Sequence, residues 1–406
     1  MRRREGRLRD GGSGPAVSGV LIVGAGLAAV RTTEQLRRNG FDGPITVVGA
    51  EDHPPYDRPP LSKQMLRGEI HDVALKPAEF YGQHQITLRL GVPALGIDAA
   101  AHTVALADGE TLGYDQLVIA TGLVPQRIAA FEDLDGSYVL RSLDDCAALR
   151  SHAASARRAV VIGAGFIGCE VAASLRGLGV QVVLVEPQAA PLAGVLGDQA
   201  GALIARLHRD EGVDVRTGVT VDAVAGGEAV ESVTLSDGSV IEADLVVVGI
   251  GSRPATEWLR SSGIDVADGV VCDAVGRTSA PDVWAIGDVA CWRAADGAQV
   301  RVEHWSNVAE QAKILVAAML DLDSAPSPGV PYFWSDQYDV KIQCLGHPRA
   351  GDTVHLVEDD CRRFVAYYER DGVLVAVVAA GVPEKIRTAR AGIAAGVAIS
   401  EVLQPA

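Results

Sequence analysis

Two glycine-rich turns in this sequence have the residue types and the spacing that bind the diphosphate of a dinucleotide. The first is Gly24-Ala25-Gly26-Leu27-Ala28-Ala29, which follows four apolar residues and precedes an apolar helical pattern. Gly24 permits the tight turn, Gly26 lets the backbone approach the phosphates, and the small Ala29 lets the helix pack on the strand. Phosphates bind at such a helix N-terminus because its free N–H groups and its dipole favour negative charge. The sequence therefore predicts a dinucleotide site at residues 24–28.

An acidic residue at the end of the next strand is expected to accept hydrogen bonds from ribose hydroxyl groups. Residues 45–50 have a strand pattern and Glu51 follows them, so Glu51 is the predicted ribose ligand of the first site. A later strand pattern at residues 116–119 runs into Ala120, Thr121 and Gly122. We expect this turn of small residues to contact the same cofactor.

A second glycine turn, Gly163-Ala164-Gly165-Phe166-Ile167-Gly168, has the complete GxGxxG spacing between a strand pattern and a helix pattern. The strand that follows ends in Glu186, which is expected to accept from the ribose 2′-hydroxyl and to repel a 2′-phosphate. No arginine follows at once, so the sequence favours NADH over NADPH. Two such motifs imply either two cofactors or one cofactor and a dinucleotide substrate.

Two further features belong to the second motif. Glu170 lies in the first turn of the helix, where it is either a favourable charge at the helix N-terminus or a group that orients the nicotinamide. A strand pattern at residues 245–248 continues into Gly249, Ile250 and Gly251, which we predict to lie at the second cofactor.

A proline-rich loop at residues 53–63 carries Arg58 and Lys63. Its four prolines hold the backbone extended and lower the entropy that is lost when the side chains are presented. The two cations are placed to lie near phosphates or near a flavin ring. The alternative is a stiff surface loop without a binding role.

Three later stretches also carry candidate cofactor contacts. A buried strand pattern ends at Gly287 and Asp288, where the carboxylate is expected to accept from a ribityl hydroxyl unless it only caps the next helix. Glu303, His304 and Trp305 precede an apolar helix pattern at residues 309–320. Aromatic residues around Trp334 either form the core of a small domain or wall one face of a flavin.

Composition and charge restrict the class of protein. With 406 residues, the chain is long enough for two or three domains, and its composition is that of a globular α/β protein. The net charge of −16 disfavours binding to nucleic acid or to an anionic membrane. The first nineteen residues hold five arginines and two acids, so removing them from 36 basic and 52 acidic residues leaves 31 and 50, a balance of −19.

The arginine-rich leader has no apolar core and so does not fit a secretory signal. It fits a disordered extension better than a transit peptide. No run of about 18 apolar residues occurs, so we expect no membrane span and a cytoplasmic location. The six cysteines lack CxxC spacing and are predicted to be reduced, structural thiols, with Cys169 packed inside a helix. No metal site is predicted.

Four longer motifs carry a resemblance to a known family. They are Pro55-Tyr56-Asp57-Arg58-Pro59-Pro60-Leu61-Ser62-Lys63, Trp284-Ala285-Ile286-Gly287-Asp288, Glu303-His304-Trp305 and Phe333-Trp334-Ser335-Asp336-Gln337-Tyr338. Together with the two glycine turns, they resemble the FAD-dependent NADH:ferredoxin reductases that supply bacterial cytochromes P450 and Rieske-type oxygenases. The likeness runs from about residue 20 to residue 383, and Gly381-Val382-Pro383 departs from the usual pattern.

The resemblance implies residues for each cofactor. FAD is expected on Gly24, Gly26, Glu51, Arg58, Lys63, Ala94, Arg141, Asp288 and Trp305. NADH is expected on Gly163, Gly165, Ile167, Gly168, Glu170, Glu186 and Gly251. Lys63 is expected near the reacting edge of the flavin and in an ion pair with Glu170, and these two are the catalytic candidates.

The resemblance also implies an α/β fold with two nested Rossmann-like domains, as in glutathione-reductase-like flavoproteins, and a C-terminal α+β domain. The expected division is a leader at 1–18, an FAD-binding part at 19–122, an NAD-binding domain at 123–250, a second FAD-binding part at 251–325 and the C-terminal domain at 326–406.

The implied activity is hydride transfer from NADH to FAD, followed by release of single electrons to a [2Fe–2S] ferredoxin that supplies a cytochrome P450 or a Rieske oxygenase. We expect a monomer or a weak homodimer without nucleic-acid or membrane partners. Docking of an acidic ferredoxin requires local cations, for which Arg301, Lys341 and Arg349 are candidates. Two alternatives share the fold: an NADH oxidase or disulfide reductase, which needs a redox cysteine that residues 27–70 lack, and an apoptosis-inducing-factor-like signalling flavoprotein.

Overall fold

The first glycine turn follows the central strand of a parallel sheet in the computed structural model, which describes residues 19–132, 134–322 and 329–403. The predicted leader at 1–18 and the expected domain boundary at residues 325 and 326 lie outside these ranges. The first elements in chain order are β1 (Val20–Val23), α1 (Leu27–Arg38), β2 (Ile45–Val48), α2 (Ala78–Gln83), β3 (Ile86–Arg89), β4 (Ala94–Asp98), β5 (Thr103–Leu106), β6 (Thr111–Gly113), β7 (Gln116–Ile119) and β8 (Leu123–Pro125).

A second parallel sheet surrounds the second glycine turn. Its part of the chain contains β9 (Ser137–Tyr138), α3 (Leu143–Ala153), β10 (Arg158–Ile162), α4 (Phe166–Gly177), β11 (Gln181–Glu186), α5 (Ala193–Asp210), β12 (Asp214–Thr217), β13 (Val221–Ala225), β14 (Ser232–Leu235), β15 (Val240–Glu242), β16 (Leu245–Val248) and β17 (Ser252–Pro254). The sheet order is β12-β11-β10-β16-β9, and β13 to β15 form a separate antiparallel sheet. Four strands flank the glycine turns, namely β1, β10, β11 and β16. All four are almost fully buried, as expected for parallel sheets covered on both faces.

The chain then returns to the first sheet. The next elements are β18 (Val266–Ala267), β19 (Gly269–Cys272), β20 (Val283–Ala285), β21 (Ala290–Arg293), β22 (Gln299–Arg301) and α6 (Trp305–Met319). Strand β20 pairs with β7 and completes the order β20-β7-β1-β2-β3. One dinucleotide-binding fold is therefore inserted into the other, and the antiparallel pair of β8 and β17 lies where the chain leaves and re-enters. The nested α/β architecture expected from the sequence is confirmed.

The C-terminal part is an antiparallel sheet with helices. It contains β23 (Tyr332–Gln337), β24 (Val340–Gly346), β25 (Thr353–Asp360), β26 (Arg363–Arg370), β27 (Val373–Ala380), α7 (Pro383–Ala395) and α8 (Ile399–Val402). The sheet order is β23-β24-β27-β26-β25. The aromatic segment around Trp334 is itself the edge strand β23 of this sheet. Helix α7 is capped at its C-terminus by Gly396, whose φ of +64° is left-handed, and the short helix α8 follows.

Short 3-10 helices connect these elements at Pro59–Ser62, Ala129–Phe131, Glu257–Leu259 and Gly287–Val289. Helix α6 begins at Trp305, four residues before the expected start. One hydrophobic core joins the proline-rich loop, the second dinucleotide fold and the C-terminal sheet through Leu61, Cys169 and Phe364, among others. Along the described ranges, no helix is both long enough and apolar enough to cross a membrane.

Candidate functional site

The first glycine turn leaves room for a ligand at the N-terminus of α1. Gly24 has φ +115°, and a Cβ there would lie 2.1 Å from the carbonyl oxygen of Ala120. Gly26 precedes the first residue of α1, and a Cβ on it would meet no atom within 4 Å. The turn is thus closed toward the sheet and open on its outer side. This is the shape that lets phosphate oxygens reach the free N–H groups of a helix.

A cavity of about 680 Å³ lies in front of this turn. Its volume is in the range of sites for cofactors and other small molecules. Every residue that the sequence and the resemblance assigned to the first cofactor lines it: Gly24, Ala25, Gly26, Leu27, Ala28, Glu51, Arg58, Lys63, Ala94, Ala120, Thr121, Gly122, Arg141, Gly287, Asp288, Glu303, His304, Trp305 and Trp334. The fold thus brings together residues that are up to 310 positions apart in the chain (Gly24 and Trp334).

Polar contacts hold the walls of the cavity in place. Arg58 Nη2 donates to Glu51 Oε1 at 2.6 Å, and Tyr56 OH donates to the other oxygen of the same carboxylate. Arg58 Nη1 donates to the backbone carbonyl of Arg141 at 2.6 Å. The proline-rich loop is therefore fixed against the ribose side of the first glycine turn.

Asp288 lies on the opposite side of the cavity. Its carboxylate is 3.8 Å from Arg141 Nη2, and burial raises its pKa above the ordinary value of an aspartate. Among the described residues, the Asp288 carboxylate accepts no backbone N–H, so the structure gives no support to the alternative that it only caps a helix. His304 Nδ1 is also buried at the cavity and has no hydrogen-bond partner in the described part of the chain. Polar groups left without partners at a cavity fit a bound polar cofactor such as FAD.

The second glycine turn is more tightly packed. Gly163 has φ +95°, and a Cβ there would lie 2.4 Å from the carbonyl oxygen of Gly249. A Cβ on Gly168 would lie 1.9 Å from the carbonyl oxygen of Gly163, so only glycine lets α4 approach the turn. Gly165, like Gly26 in the first turn, faces open space. Ile250 and Gly251 follow Gly249 at the same edge of the sheet.

Glu186 is buried beside this second turn, with 8% of its surface exposed. Its Oε2 accepts from the backbone N–H of Ala164 at 2.7 Å, and its Oε1 accepts from the N–H of Gln188 at 3.0 Å. The carboxylate thus holds the backbone of the glycine turn, a role that the sequence did not indicate. Each carboxylate oxygen has a further lone pair for a ribose hydroxyl.

The proline-rich loop and the second glycine motif meet at a buried ion pair. Lys63 Nζ lies 2.7 Å from Glu170 Oε2, and their side chains are only 5% and 7% exposed. Ser62 Oγ donates to the same oxygen, and Ser335 Oγ donates to Oε1 at 2.8 Å. Lys63 and Glu170 both line the 680 Å³ cavity, as do Phe166 and Ile167 from the second glycine motif. The remaining residues assigned to the second cofactor lie around its turn.

Several residues of the cavity were missed from the sequence. They are His53, Tyr56, Asp57, Pro59, Ser62, Pro93, Arg253, Ala255, Glu257, Trp258 and Phe333, with some adjoining backbone. Phe333 packs edge-on against Phe166 with ring centroids 5.0 Å apart, and against His304 at 4.7 Å. Tyr56, Asp57 and Phe333 lie inside the quoted motifs, so position in a motif was an available signal. Trp258 had no such signal.

One of the proposed docking cations is wrong. Arg301 is only 13% exposed and is paired with Asp268 at 3.2 Å and with Glu303, so its charge is buried and neutralised. Lys341 is 53% exposed and lies 3.3 Å from Asp336, with its ammonium 5.8 Å from the ring centre of Trp334. Arg349 is exposed.

The cysteines have the environment of structural thiols. Five are buried and Cys361 is exposed. Burial raises the pKa of Cys146 to about 11 and raises the pKa of Cys169 as well. A thiol of raised pKa is a poor nucleophile at neutral pH, which disfavours the disulfide-reductase alternative. Within the described ranges, no three His, Cys, Asp or Glu side chains are grouped to hold a metal ion.

Comparisons with known proteins give a consistent result. Residues 18–312 match the family described as pyridine nucleotide-disulphide oxidoreductase, and residues 332–403 match the family described as reductase C-terminal. The chain is 37% identical to ferredoxin–NAD(P)(+) reductase fdr of a Sphingomonas species, covering 88% of each chain. It is 38% identical to the ferredoxin–NAD(+) reductase component of the anthranilate 1,2-dioxygenase system of Burkholderia cepacia, covering 93% of this chain and 94% of the relative.

A solved structure extends the likeness to three dimensions. The crystal structure of the covalent putidaredoxin reductase–putidaredoxin complex contains a chain with a TM-score of 0.91 to this one. The two are 30% identical, and the match covers 96% of each chain.

Proposed function

This chain belongs to the pyridine nucleotide-disulphide oxidoreductase family, among the FAD-containing ferredoxin–NAD(P)+ reductases, and from that premise we propose that it carries electrons from NADH to a [2Fe–2S] ferredoxin of an oxygenase system. Its family uses FAD and NAD(P)H. The preference for NADH, the type of ferredoxin and the oxygenase downstream, a cytochrome P450 or a Rieske oxygenase, are the finer parts of the proposal.

The buried pair of Lys63 and Glu170 is the observation that carries this proposal. Lys63 comes from the proline-rich loop beside the first glycine turn, whereas Glu170 comes from the helix of the second. Their contact at 2.7 Å brings the two dinucleotide motifs to one cavity. Hydride transfer needs both cofactors within van der Waals contact, and a shared cavity allows this arrangement.

The residues around the cavity supply binding, orientation and charge. We assign the diphosphate of FAD to the turn at Gly24 and Gly26, and its ribose to Glu51. Arg58 and Arg141 offset the negative charge of the diphosphate, and Asp288 accepts from a ribityl hydroxyl. When bound, FAD would supply the chemistry of a two-electron acceptor that can be reoxidised by one-electron carriers. Lys63 contributes a positive charge whose position is fixed by Glu170.

The preference for NADH rests on Glu186. Its carboxylate is held by two backbone N–H groups, so it cannot turn away from an incoming 2′-phosphate without losing both hydrogen bonds. A fixed negative charge repels a phosphate more effectively than a mobile one because it does not relax. This supports discrimination against NADPH.

The proposed partner is a ferredoxin that docks near the exposed edge of the cavity. Electron transfer to a [2Fe–2S] ferredoxin is supported by the likeness to the reductase in the putidaredoxin complex and to the reductase component of a dioxygenase system. Lys341 and Arg349 remain as docking cations. We propose that the reaction takes place in the cytoplasm, without nucleic-acid or membrane partners, and that the chain is a monomer or a weak homodimer.

An anaerobic stopped-flow experiment tests the proposal. The purified, FAD-loaded protein is mixed with NADH and then with a [2Fe–2S] ferredoxin. We expect rapid loss of flavin absorbance, followed by reduction of the ferredoxin. Absence of bleaching would contradict the assignment of the second glycine turn to NADH, and bleaching without ferredoxin reduction would contradict the proposed partner. In a separate aerobic assay with NADH, oxygen consumption as fast as ferredoxin reduction would favour an oxidase instead.

A further inference from the structure

A series of hydrogen-bonded side chains leads away from the ion pair into the interior of the molecule. It passes from α4 to strand β23 of the C-terminal sheet, and from there to helix α5 of the second dinucleotide fold. Its members, here called the buried series, are Glu170, Ser335, Gln337, His208 and Tyr338. The side chains of Ser335, Gln337 and His208 have no exposed surface.

The contacts of the buried series are all within hydrogen-bonding distance. Ser335 Oγ lies 2.8 Å from Glu170 Oε1, and Gln337 Nε2 lies 3.2 Å from Ser335 Oγ. His208 Nε2 is 3.0 Å from Gln337 Oε1. Its other ring nitrogen, Nδ1, is 2.8 Å from the hydroxyl oxygen of Tyr338. Each side chain of the buried series is therefore hydrogen-bonded to the next one.

The chemistry of these groups determines which atom donates in each hydrogen bond of the buried series. The carbonyl oxygen of Gln337 only accepts, so His208 Nε2 must carry a hydrogen. Burial lowers the pKa of His208 to about 4, so the ring is neutral near pH 7 and its Nδ1 accepts from Tyr338 OH. The amide nitrogen of Gln337 then donates to Ser335, and the Ser335 hydroxyl is directed onto Glu170. Every hydrogen bond of the series points toward the carboxylate.

We propose that Ser335, Gln337 and His208 are positioning residues of the reductase, which fix the Glu170 carboxylate so that it presents Lys63 to the cavity. This inference rests on the proposed function. Glu170 Oε1 is held by Ser335, which leaves Oε2 for Ser62 and Lys63. Without the donor from Gln337, the Ser335 hydroxyl is free to rotate. The carboxylate then loses its orientation, and with it the ammonium group of Lys63.

The location of the series supports a positioning role. Buried polar groups are costly unless all of them are hydrogen-bonded, so a fully connected series adopts one arrangement. Strand β23 buries Ser335 and Gln337, while the aromatic Trp334 that precedes them is only half-buried. Polar side chains therefore occupy an interior in which apolar side chains would otherwise pack. They lie on the same strand as Trp334, which lines the cavity.

Substitutions at His208 test the inference with a matched control. His208→Leu removes both hydrogen bonds of the ring, whereas His208→Gln keeps a donor the same number of bonds from the backbone. His152 is the control, because it also contacts a tyrosine hydroxyl through Nδ1 (3.1 Å) and a backbone carbonyl through Nε2 (2.9 Å), but outside the cavity. Each holoprotein is mixed anaerobically with increasing NADH, and the flavin bleaching rate is extrapolated to saturation.

We expect His208→Leu to lower the saturating bleaching rate roughly fivefold, since one well-placed hydrogen bond contributes about 1 kcal/mol. The NADH concentration that gives half this rate should change little. His208→Gln should recover most of the loss, and His152→Leu should leave the rate unchanged. Gln337→Met, which keeps the side-chain volume, should reproduce the loss even if His208→Leu folds poorly.

A second readout does not depend on turnover. Nitrogen-15 spectra of histidine-labelled protein, assigned by comparison with His208→Gln, should show a neutral His208 ring with its hydrogen on Nε2 at pH 7. A charged ring, or a hydrogen on Nδ1, would overturn the direction of the series. An unchanged bleaching rate in both His208→Leu and Gln337→Met would overturn the positioning role. Failure of the wild-type protein to bleach would instead contradict the proposed function.

Discussion

The indole Nε1 of Trp305 donates a hydrogen bond to the Asp57 carboxylate at 2.7 Å, although the two residues are 248 positions apart. Asp57 belongs to the proline-rich loop, and Trp305 is the first residue of helix α6. Both line the cavity assigned to FAD. The bond therefore joins two walls of the cavity, one formed by residues before the inserted domain and the other by residues after it in the chain.

Removal of this bond is expected to weaken FAD binding. In Asp57→Ala, the part-buried indole N–H loses its acceptor, which costs about 1.4 kcal/mol and corresponds to roughly tenfold weaker binding. The measurement is the dissociation constant for FAD after deflavination. Gln116→Ala is the control, because it removes the acceptor of another indole, Trp284, at 2.6 Å and away from the cavity. Equal FAD affinity in the two variants would contradict the prediction.

The ion pair of Lys63 and Glu170 is expected to serve both stability and turnover. Lys63→Met or Glu170→Gln leaves one buried charge without its partner, so each should lower the free energy of unfolding by about 3 kcal/mol. The double variant removes both charges and should recover most of that stability. Its flavin bleaching rate with NADH should nevertheless remain at least roughly tenfold below that of the wild type.

Urea unfolding and stopped-flow absorbance on the same four proteins separate these two effects. Asp359→Asn is the control, since it breaks a partly exposed ion pair with Arg206 that also joins the C-terminal sheet to α5. Its stability should change by less than about 1 kcal/mol. A double variant that bleaches as fast as the wild type would show that the pair is only structural.

The parts of the site that depend on local spacing could be predicted from the sequence. Glycine turns between a strand and a helix are set by a few neighbouring residues, so both turns and the acids Glu51 and Glu186 were found. The contact of Asp57 with Trp305 could not be found in this way, because it depends on the insertion of one domain into another.

Strand β23 shows a second reason for failure. Side-chain hydropathy alone would favour burial of its aromatic residues and exposure of its polar ones. The structure buries Phe333, Ser335 and Gln337, and leaves Tyr332 and Trp334 half-buried, with Trp334 lining the cavity. The polar residues are buried because they bind Glu170 and His208, which are more than 120 positions earlier. Patterns of hydropathy contain no information about such partners.

The carboxylate of Glu186 is expected to control the choice of nicotinamide cofactor. Glu186→Gln keeps an oxygen for one backbone N–H but removes the negative charge that faces a 2′-phosphate. The ratio of kcat/KM for NADH to that for NADPH should fall roughly tenfold, which corresponds to about 1.4 kcal/mol. Asp222→Asn, an exposed residue of the same domain, is the control for loss of one charge. An unchanged ratio in Glu186→Gln would exclude the ribose role.

The buried His208 predicts a specific dependence of stability on pH. Its pKa is lowered from 6.5 to about 4 because burial disfavours the charged ring. Between these two values, the unfolded chain binds a proton that the folded protein does not, so the stabilisation is complete above pH 6.5 and is lost as the pH falls toward 4. The loss is about 1.4 kcal/mol per pH unit, or about 2 kcal/mol between pH 7 and pH 5.

Urea titrations of the wild type and of His208→Gln at pH 7 and pH 5 measure this difference. The apparent free energy of unfolding should fall by about 2 kcal/mol more in the wild type, because the glutamine has no proton to bind. His71→Gln, in which an exposed histidine is replaced, should retain the pH dependence of the wild type. A fall of the same size in His208→Gln would mean that the His208 ring is charged at pH 5 in the folded protein as well as in the unfolded chain. Its Nδ1 would then donate to Tyr338 at that pH, and the direction assigned to the buried series would not hold there.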